Sequence, residues 1–126
     1  MSAPLTARVV VELIGTFLLA LTIQLMVLHA PDLAPEAPLA IALMLAALVY
    51  AGGPISAAMY NPAVALAVFV RQKLSLVEFA LYVVAQWVGS FIGGGAFLFI
   101  GDERYPSGRL LSASARALPG VATLAS

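Results

Sequence analysis

Residues Ala37–Val70 read APLAIALMLAALVYAGGPISAAMYNPAVALAVFV, 34 positions without a single charge. One membrane-spanning helix needs only ~20 apolar residues. The stretch is therefore too long for one crossing and too short for two. It is also punctuated, first by Gly52-Gly53-Pro54 and then by Asn61-Pro62. An apolar run that crosses, breaks, dips and restarts reads as a span followed by a re-entrant half-helix. Irregular backbone is tolerated at membrane depth only where protein packs around it or where it lines a water-filled cavity. That restriction makes a channel the first functional hypothesis.

The rest of the chain agrees with a membrane setting. It has 126 residues, of which 63% are apolar and 10% charged, with a mean hydropathy of +1.05. A soluble domain is nearer half apolar and a quarter charged. Net charge is zero, so no basic face invites nucleic acid. There is no cysteine, which excludes a disulfide framework and a thiolate metal site. One histidine, His29, borders a Pro-rich loop and is read as a solvated surface residue. No span carries paired carboxylates, so the groups for acid–base or nucleophilic catalysis are lacking. We expect no enzyme activity, no metal and no cofactor. The N-terminal apolar run is too long for a cleaved signal, and Glu12 lies inside it.

Three charge-free blocks, Leu13–Pro31, Ala37–Val70 and Phe79–Gly101, organise the chain. Span one is expected over about Val9–Leu28, ending where Pro31 and Pro35 enforce a loop. Span two is expected over about Leu39–Ala51, closed by the Gly-Gly-Pro break. A descending loop, Ile55–Tyr60, and a short helix, Pro62–Val70, follow. Span three opens at Ser75, where Glu78 three residues on completes a capping box, and runs to about Ile100. Residues 101–126 read as a loop-like tail of small, polar and Pro/Gly residues.

Asn is a good N-cap and Pro is favoured at the first helical position, so Asn61-Pro62 is a helix start. The helix ends at Arg71-Gln72-Lys73, cations suited to a C-terminus at an aqueous interface. A nine-residue helix rises ~13–14 Å at ~1.5 Å per residue, close to half of a ~30 Å hydrocarbon core. With Arg71 and Lys73 at the surface, Asn61 falls near the midplane. The half-helix then aims its positive dipole end and its free N–H groups at the membrane centre. Neutral solutes meet the Asn61 amide there, while cations meet a positive potential.

These segments resemble the aquaporin (major intrinsic protein) family. The matching pieces are Glu12-Leu13-Ile14-Gly15-Thr16-Phe17, then Ile55-Ser56 with Asn61-Pro62-Ala63-Val64, then Gln86-Trp87-Val88-Gly89 with Gly93. Their order and spacing are similar to the first half of an aquaporin over about residues 5–100. The resemblance implies an all-α integral membrane fold: three transmembrane helices plus one re-entrant half-helix, half of the aquaporin fold. It implies conduction of water or small neutral solutes past Asn61, Pro62 and Ala63 at the midplane. It implies that Glu12 is a buried acceptor bracing the loop, with Gln86 a similar polar brace. Gly15, Gly89 and Gly93 are expected to allow close helix crossing.

Family members carry two inverted halves, whereas this sequence holds one Asn-Pro-Ala and no repeat of the three spans. One half leaves the polar tip of the half-helix facing lipid, which is costly. Two copies are therefore expected. An odd number of spans puts the termini on opposite sides, so only antiparallel copies bring two half-helices tip to tip. The charges permit both orientations: Arg8, Arg71 and Lys73 lie on one side, Arg104, Arg109 and Arg116 on the other. The expectation is a dual-topology antiparallel homodimer in lipid, and by resemblance a cluster of four such dimers. We place it as a multi-pass protein of a prokaryotic inner or plasma membrane.

The pore lining follows from the symmetry. In the family, the second half carries Arg where Val64 stands, and that Arg belongs to the selectivity filter. Here neither copy supplies it. By the resemblance, the filter-like positions are Ile41, Val49, Ala58 and Val64, with Tyr60 the nearest aromatic and Met59 at a position often polar in the family. Apolar constrictions without a cation lean toward water and glycerol-like polyols rather than water alone. Two other readings stay open: a non-conducting scaffold or subunit that complements a separate second-half chain, and an excised fragment of a longer aquaporin.

Overall fold

The computed structural model describes residues 3–29 and 35–101. The chain folds as helix α1 (Leu5–Gln24) with a π-helical extension (Leu25–His29), α2 (Ala37–Ser56), α3 (Pro62–Val70) and α4 (Leu76–Gly101). Among the described residues three stretches are long and apolar enough to cross a membrane: Leu5–Val27, Ala37–Ser56 and Leu76–Ile100. The remaining helix, α3, has nine residues and reaches only half as far. The tail read as loop-like, and most of the Pro31–Pro35 turn, lie outside the described residues.

Burial is inverted relative to a soluble domain. Glu12, Thr16, Ser56 and Gln86 are buried, while Leu39, Leu43, Val77, Phe91 and Leu98 are exposed. Such a surface is stable in hydrocarbon and not in water, because exposed apolar side chains are unfavourable in water and cost nothing against lipid. This is an all-α integral membrane fold of three spanning helices and one half-helix, as the resemblance implies.

Helix α1 is the hub. α4 packs against it most extensively and α2 less so, and α3 leans on α4. Glycines make the α1–α4 contact close: a Cβ at Gly89 would meet the Leu13 carbonyl, and one at Gly93 the Phe17 carbonyl at 3.0 Å. The backbones therefore touch where Leu or Phe would hold them apart. At the turn between α3 and α4, Phe69 and Phe79 stack with centroids 4.9 Å apart.

Several expected boundaries are corrected. Gly52-Gly53-Pro54 does not end span two: α2 continues through Pro54 to Ser56, and the loop shrinks from Ile55–Tyr60 to Ala57–Tyr60. Pro54 removes one helical N–H donor, a loss that spanning helices tolerate where neighbouring groups satisfy the freed carbonyl. The helix stops instead where Ala57 turns left-handed (φ 72°), with its N–H still bonded to the Gly53 carbonyl at 3.0 Å. Span one starts at Leu5 rather than Val9, and span two at Ala37 rather than Leu39. Span three begins at Leu76 with Ser75 before it: Ser75 N–H donates to Glu78 Oε2 (2.8 Å) and Glu78 N–H to Ser75 Oγ (3.2 Å). Those two bonds are the reciprocal capping box.

Candidate functional site: a clamped re-entrant loop

The site is the end of α2, the loop Ala57–Tyr60, and the start of α3. Asn61 caps α3, with extended backbone and a side-chain Oδ1 that accepts from Ala63 N–H at 2.8 Å. Pro62 follows at the first helical position, where a missing N–H costs nothing. Asn61 and Ala63 are exposed on the single chain. At its other end α3 closes with Gln72 N–H on the Phe69 carbonyl (2.8 Å) and Lys73 N–H on the Val68 carbonyl (3.1 Å). This paired closure is a Schellman motif with Gln72 (φ 58°) in place of the usual glycine.

The loop backbone is costly. Ala57, Ala58 and Tyr60 all have positive φ (72°, 48° and 47°), and a left-handed L-residue costs roughly 1–2 kcal/mol. Glu12 holds the loop in that shape. Its Oε1 accepts from Ser56 Oγ (2.7 Å) and Met59 N–H (2.9 Å), and its Oε2 from Tyr60 N–H (2.7 Å) and Gln86 Nε2 (2.9 Å). Four donors occupy both carboxylate oxygens, so the buried ion is fully solvated by protein. Ser56 Oγ also accepts from Ala58 N–H at 3.0 Å. Gln86 thus reaches the loop through Glu12 rather than directly. Its Oε1 is buried without a hydrogen-bond partner among the described residues. Thr16, buried beside them, donates to the Glu12 carbonyl one turn back (2.7 Å).

Tyr60 departs from the expected constriction. It is 4% exposed, and its hydroxyl donates to the Leu48 carbonyl at 3.0 Å. The ring lies in a slot between α1 and α2 that two glycines open. A Cβ at Gly15 would run into ring carbons of Tyr60, and a Cβ at Gly52 into its hydroxyl, both well inside 3.0 Å. An aromatic ring in an apolar slot, with its polar tip bonded, is the favourable burial of Tyr. Gly15 therefore admits the Tyr60 ring and does not serve a helix crossing. Gly52 belongs to the same slot. Of the other filter-like positions, Val49 and Val64 are exposed, Ile41 is half-buried and Ala58 is buried in the single chain.

Three residues of the site, Ser56, Arg8 and Tyr82, are not legible as functional from the sequence. Tyr82 is fully buried; its hydroxyl accepts from Arg8 Nε (2.9 Å) and donates to the Ser56 carbonyl (3.0 Å). Arg8 also pairs with Glu78 Oε1 at 2.6 Å. No local signal marks these contacts, because the partners lie 26 to 74 positions apart.

Comparison with known proteins places this arrangement. The chain is 52% identical over 48 residues to "Probable aquaporin PIP2-7" of Oryza sativa subsp. japonica, covering 38% of this chain and 17% of that protein. It is 44% identical over 57 residues to "Aquaporin-5" of Sus scrofa (45% and 22%) and 40% identical over 68 residues to "Nodulin-26" of Glycine max (52% and 25%). The matched stretches thus cover a quarter or less of these relatives' own lengths. The relatives are from plants and an animal and lend no support to a prokaryotic membrane. No solved structure matches the chain. The sequence model described as "Major intrinsic protein" matches residues 2–123. With that match added to three apolar helices and a capped half-helix, the chain belongs to the major intrinsic protein family, a family of membrane channels and not of enzymes.

Proposed function

We propose that this chain forms a passive channel for water and small neutral solutes, completed by a second copy in the inverted orientation. The observation that carries the reading is the tip of α3. Asn61 is exposed on the single chain, yet the loop that presents it is fixed by four donors on the buried Glu12 carboxylate. A polar helix start held so firmly at membrane depth needs water or another polar tip beside it, because lipid satisfies neither its amide nor its dipole. An inverted copy supplies the second tip on an in-plane two-fold axis, as inverted repeats do within one chain. Four such dimers then cluster, by analogy with the family.

The lumen on this reading passes Asn61, Pro62 and Ala63 at its centre and Val64 and Val49 toward each mouth. Two opposed positive helix ends repel cations and hydrated protons while the Asn61 amides receive neutral solutes. Apolar mouths without an Arg at position 64 favour water together with polyols of glycerol size. The test is stopped-flow shrinkage of liposomes holding only this chain, under osmotic gradients of sucrose and of glycerol. Faster water loss than in empty liposomes, with measurable glycerol uptake, is the expected result. Rates equal to those of empty liposomes favour a scaffold, or a subunit that complements a second-half chain.

A further inference from the structure

We infer that the Tyr82 hydroxyl is a positioning group for the re-entrant loop, driven from the membrane surface by the Arg8–Glu78 ion pair. The inference rests on the channel reading for its consequence in flux, but its geometry stands apart from it. The last carbonyls of α2 have no helical donors, and Tyr82 satisfies the final one, that of Ser56, at 3.0 Å. Ser56 is then pinned at three points: its carbonyl on Tyr82, its Oγ as donor to Glu12, and the same Oγ as acceptor from Ala58 N–H. The strained run Ala57–Tyr60 hangs from this residue.

Arg8 orients the hydroxyl. The guanidinium occupies one lone pair of the Tyr82 oxygen through Nε (2.9 Å), so the phenolic proton is left to point at Ser56. A donor that itself accepts from a cation donates more strongly. The Arg8 guanidinium carbon lies 5.5 Å from the Tyr82 ring centroid, and its Nη1 donates to Glu78 Oε1 at 2.6 Å. Glu78 in turn closes the capping box of α4 through Ser75. The first turns of α1 and α4 are thereby tied to the end of α2. Tyr82 is fully buried among Met59, Ala65 and Leu74 and lines no exposed surface of the single chain.

The chain has no cysteine, so a single introduced thiol reports on the loop without background. Met59→Cys places it on a buried loop residue whose N–H is bonded to Glu12. In that background Tyr82→Phe keeps the ring and removes only the hydroxyl. With the protein in liposomes, labelling by a water-soluble methanethiosulfonate is expected to quicken about fivefold, the shift in a local opening equilibrium when one buried hydrogen bond is lost. Helical content should stay unchanged, and water flux per folded protein should fall. If Tyr82→Phe fails to fold, Arg8→Lys takes its place: it keeps a cation for Glu78 and lacks the Nε donor, and the same acceleration is expected. Equal labelling rates with and without the substitution overturn the inference. Accelerated labelling in a protein whose parent conducts nothing leaves the positioning role standing and removes the channel reading.

Discussion

The main-chain N–H of Tyr60 donates to the Glu12 carboxylate at 2.7 Å, across 48 positions of sequence. The Tyr60 side chain, from the same residue, fills the slot opened by Gly15 and Gly52. Backbone and ring of one residue thus fix the loop to α1 and α2 at once, and Asn61 is the next residue along the chain. The location of the half-helix tip is set by these contacts rather than by α3 itself, whose short apolar sequence has little intrinsic hold on any one position.

Glu12→Gln tests the clamp. The neutral amide keeps the shape but turns two of its own donors toward Ser56, Met59, Tyr60 or Gln86. Losing the charge and misplacing buried donors is expected to cost roughly 2–4 kcal/mol. Thermal unfolding in detergent should show a clear drop in midpoint. A midpoint within a degree or so of the parent contradicts the clamp as the main restraint.

The glycines separate cleanly. Gly15→Ala and Gly52→Ala drive a Cβ into Tyr60, an overpacking worth about 1–3 kcal/mol. Gly53→Ala meets nothing within 4 Å and should be neutral or stabilise α2 by about 0.5–1 kcal/mol. A Cβ at Gly52 meets the Tyr60 hydroxyl first and Val11 Cγ1 at 2.9 Å, so Tyr60→Phe should recover part of the Gly52→Ala loss while giving up the bond to the Leu48 carbonyl. Comparing the three glycine variants and the double variant by thermal melts checks this. Equal effects at Gly52 and Gly53 would place the slot elsewhere.

Asn61→Asp keeps an N-cap of nearly equal quality, so α3 should persist. A fixed anion at the tip then offsets the positive helix end and attracts cations. Reduced water flux, or a new cation leak measured by a pH-sensitive or potential-sensitive dye in the liposomes, is the expected outcome. Flux and ion exclusion identical to the parent would move the lumen away from Asn61.

Val64→Arg adds a cation and bulk to an exposed position two residues past the helix start at Pro62. In an inverted dimer it does so at both mouths. Glycerol permeability should fall several-fold relative to water, read from the ratio of the two stopped-flow rates. An unchanged ratio means that Val64 faces lipid or protein.

Local chemistry made part of this fold legible. Asn61-Pro62 and Ser75 with Glu78 are written in the residues that supply the bonds, and both helix starts fall there. A buried carboxylate in an apolar span, Glu12, needs donors wherever it lies, which is why it stood out. The end of α2 is not legible in the sequence, because Gly52-Gly53-Pro54 is a break by propensity alone and the helix runs on to Ser56. What ends the helix is the grip of Glu12 and Tyr82 on Ser56, from residues in other helices. Tyr60, an ordinary aromatic in the sequence, gains its place only when two glycines from different helices meet around it. The Arg8–Tyr82–Ser56 chain joins three helices and has no periodicity to betray it.

The most direct test of the inverted pair is disulfide formation by Ala63→Cys, the sole thiol in the chain, in native-like membranes under mild oxidation. On a two-fold axis with half-helix tips meeting at the bilayer centre, residue 63 faces its own copy. Cross-linked dimer at high yield, with little from a control thiol at the surface-exposed Lys73, is the predicted result. Monomer under the same conditions, or cross-linking at residue 73 in preference to residue 63, would contradict the account.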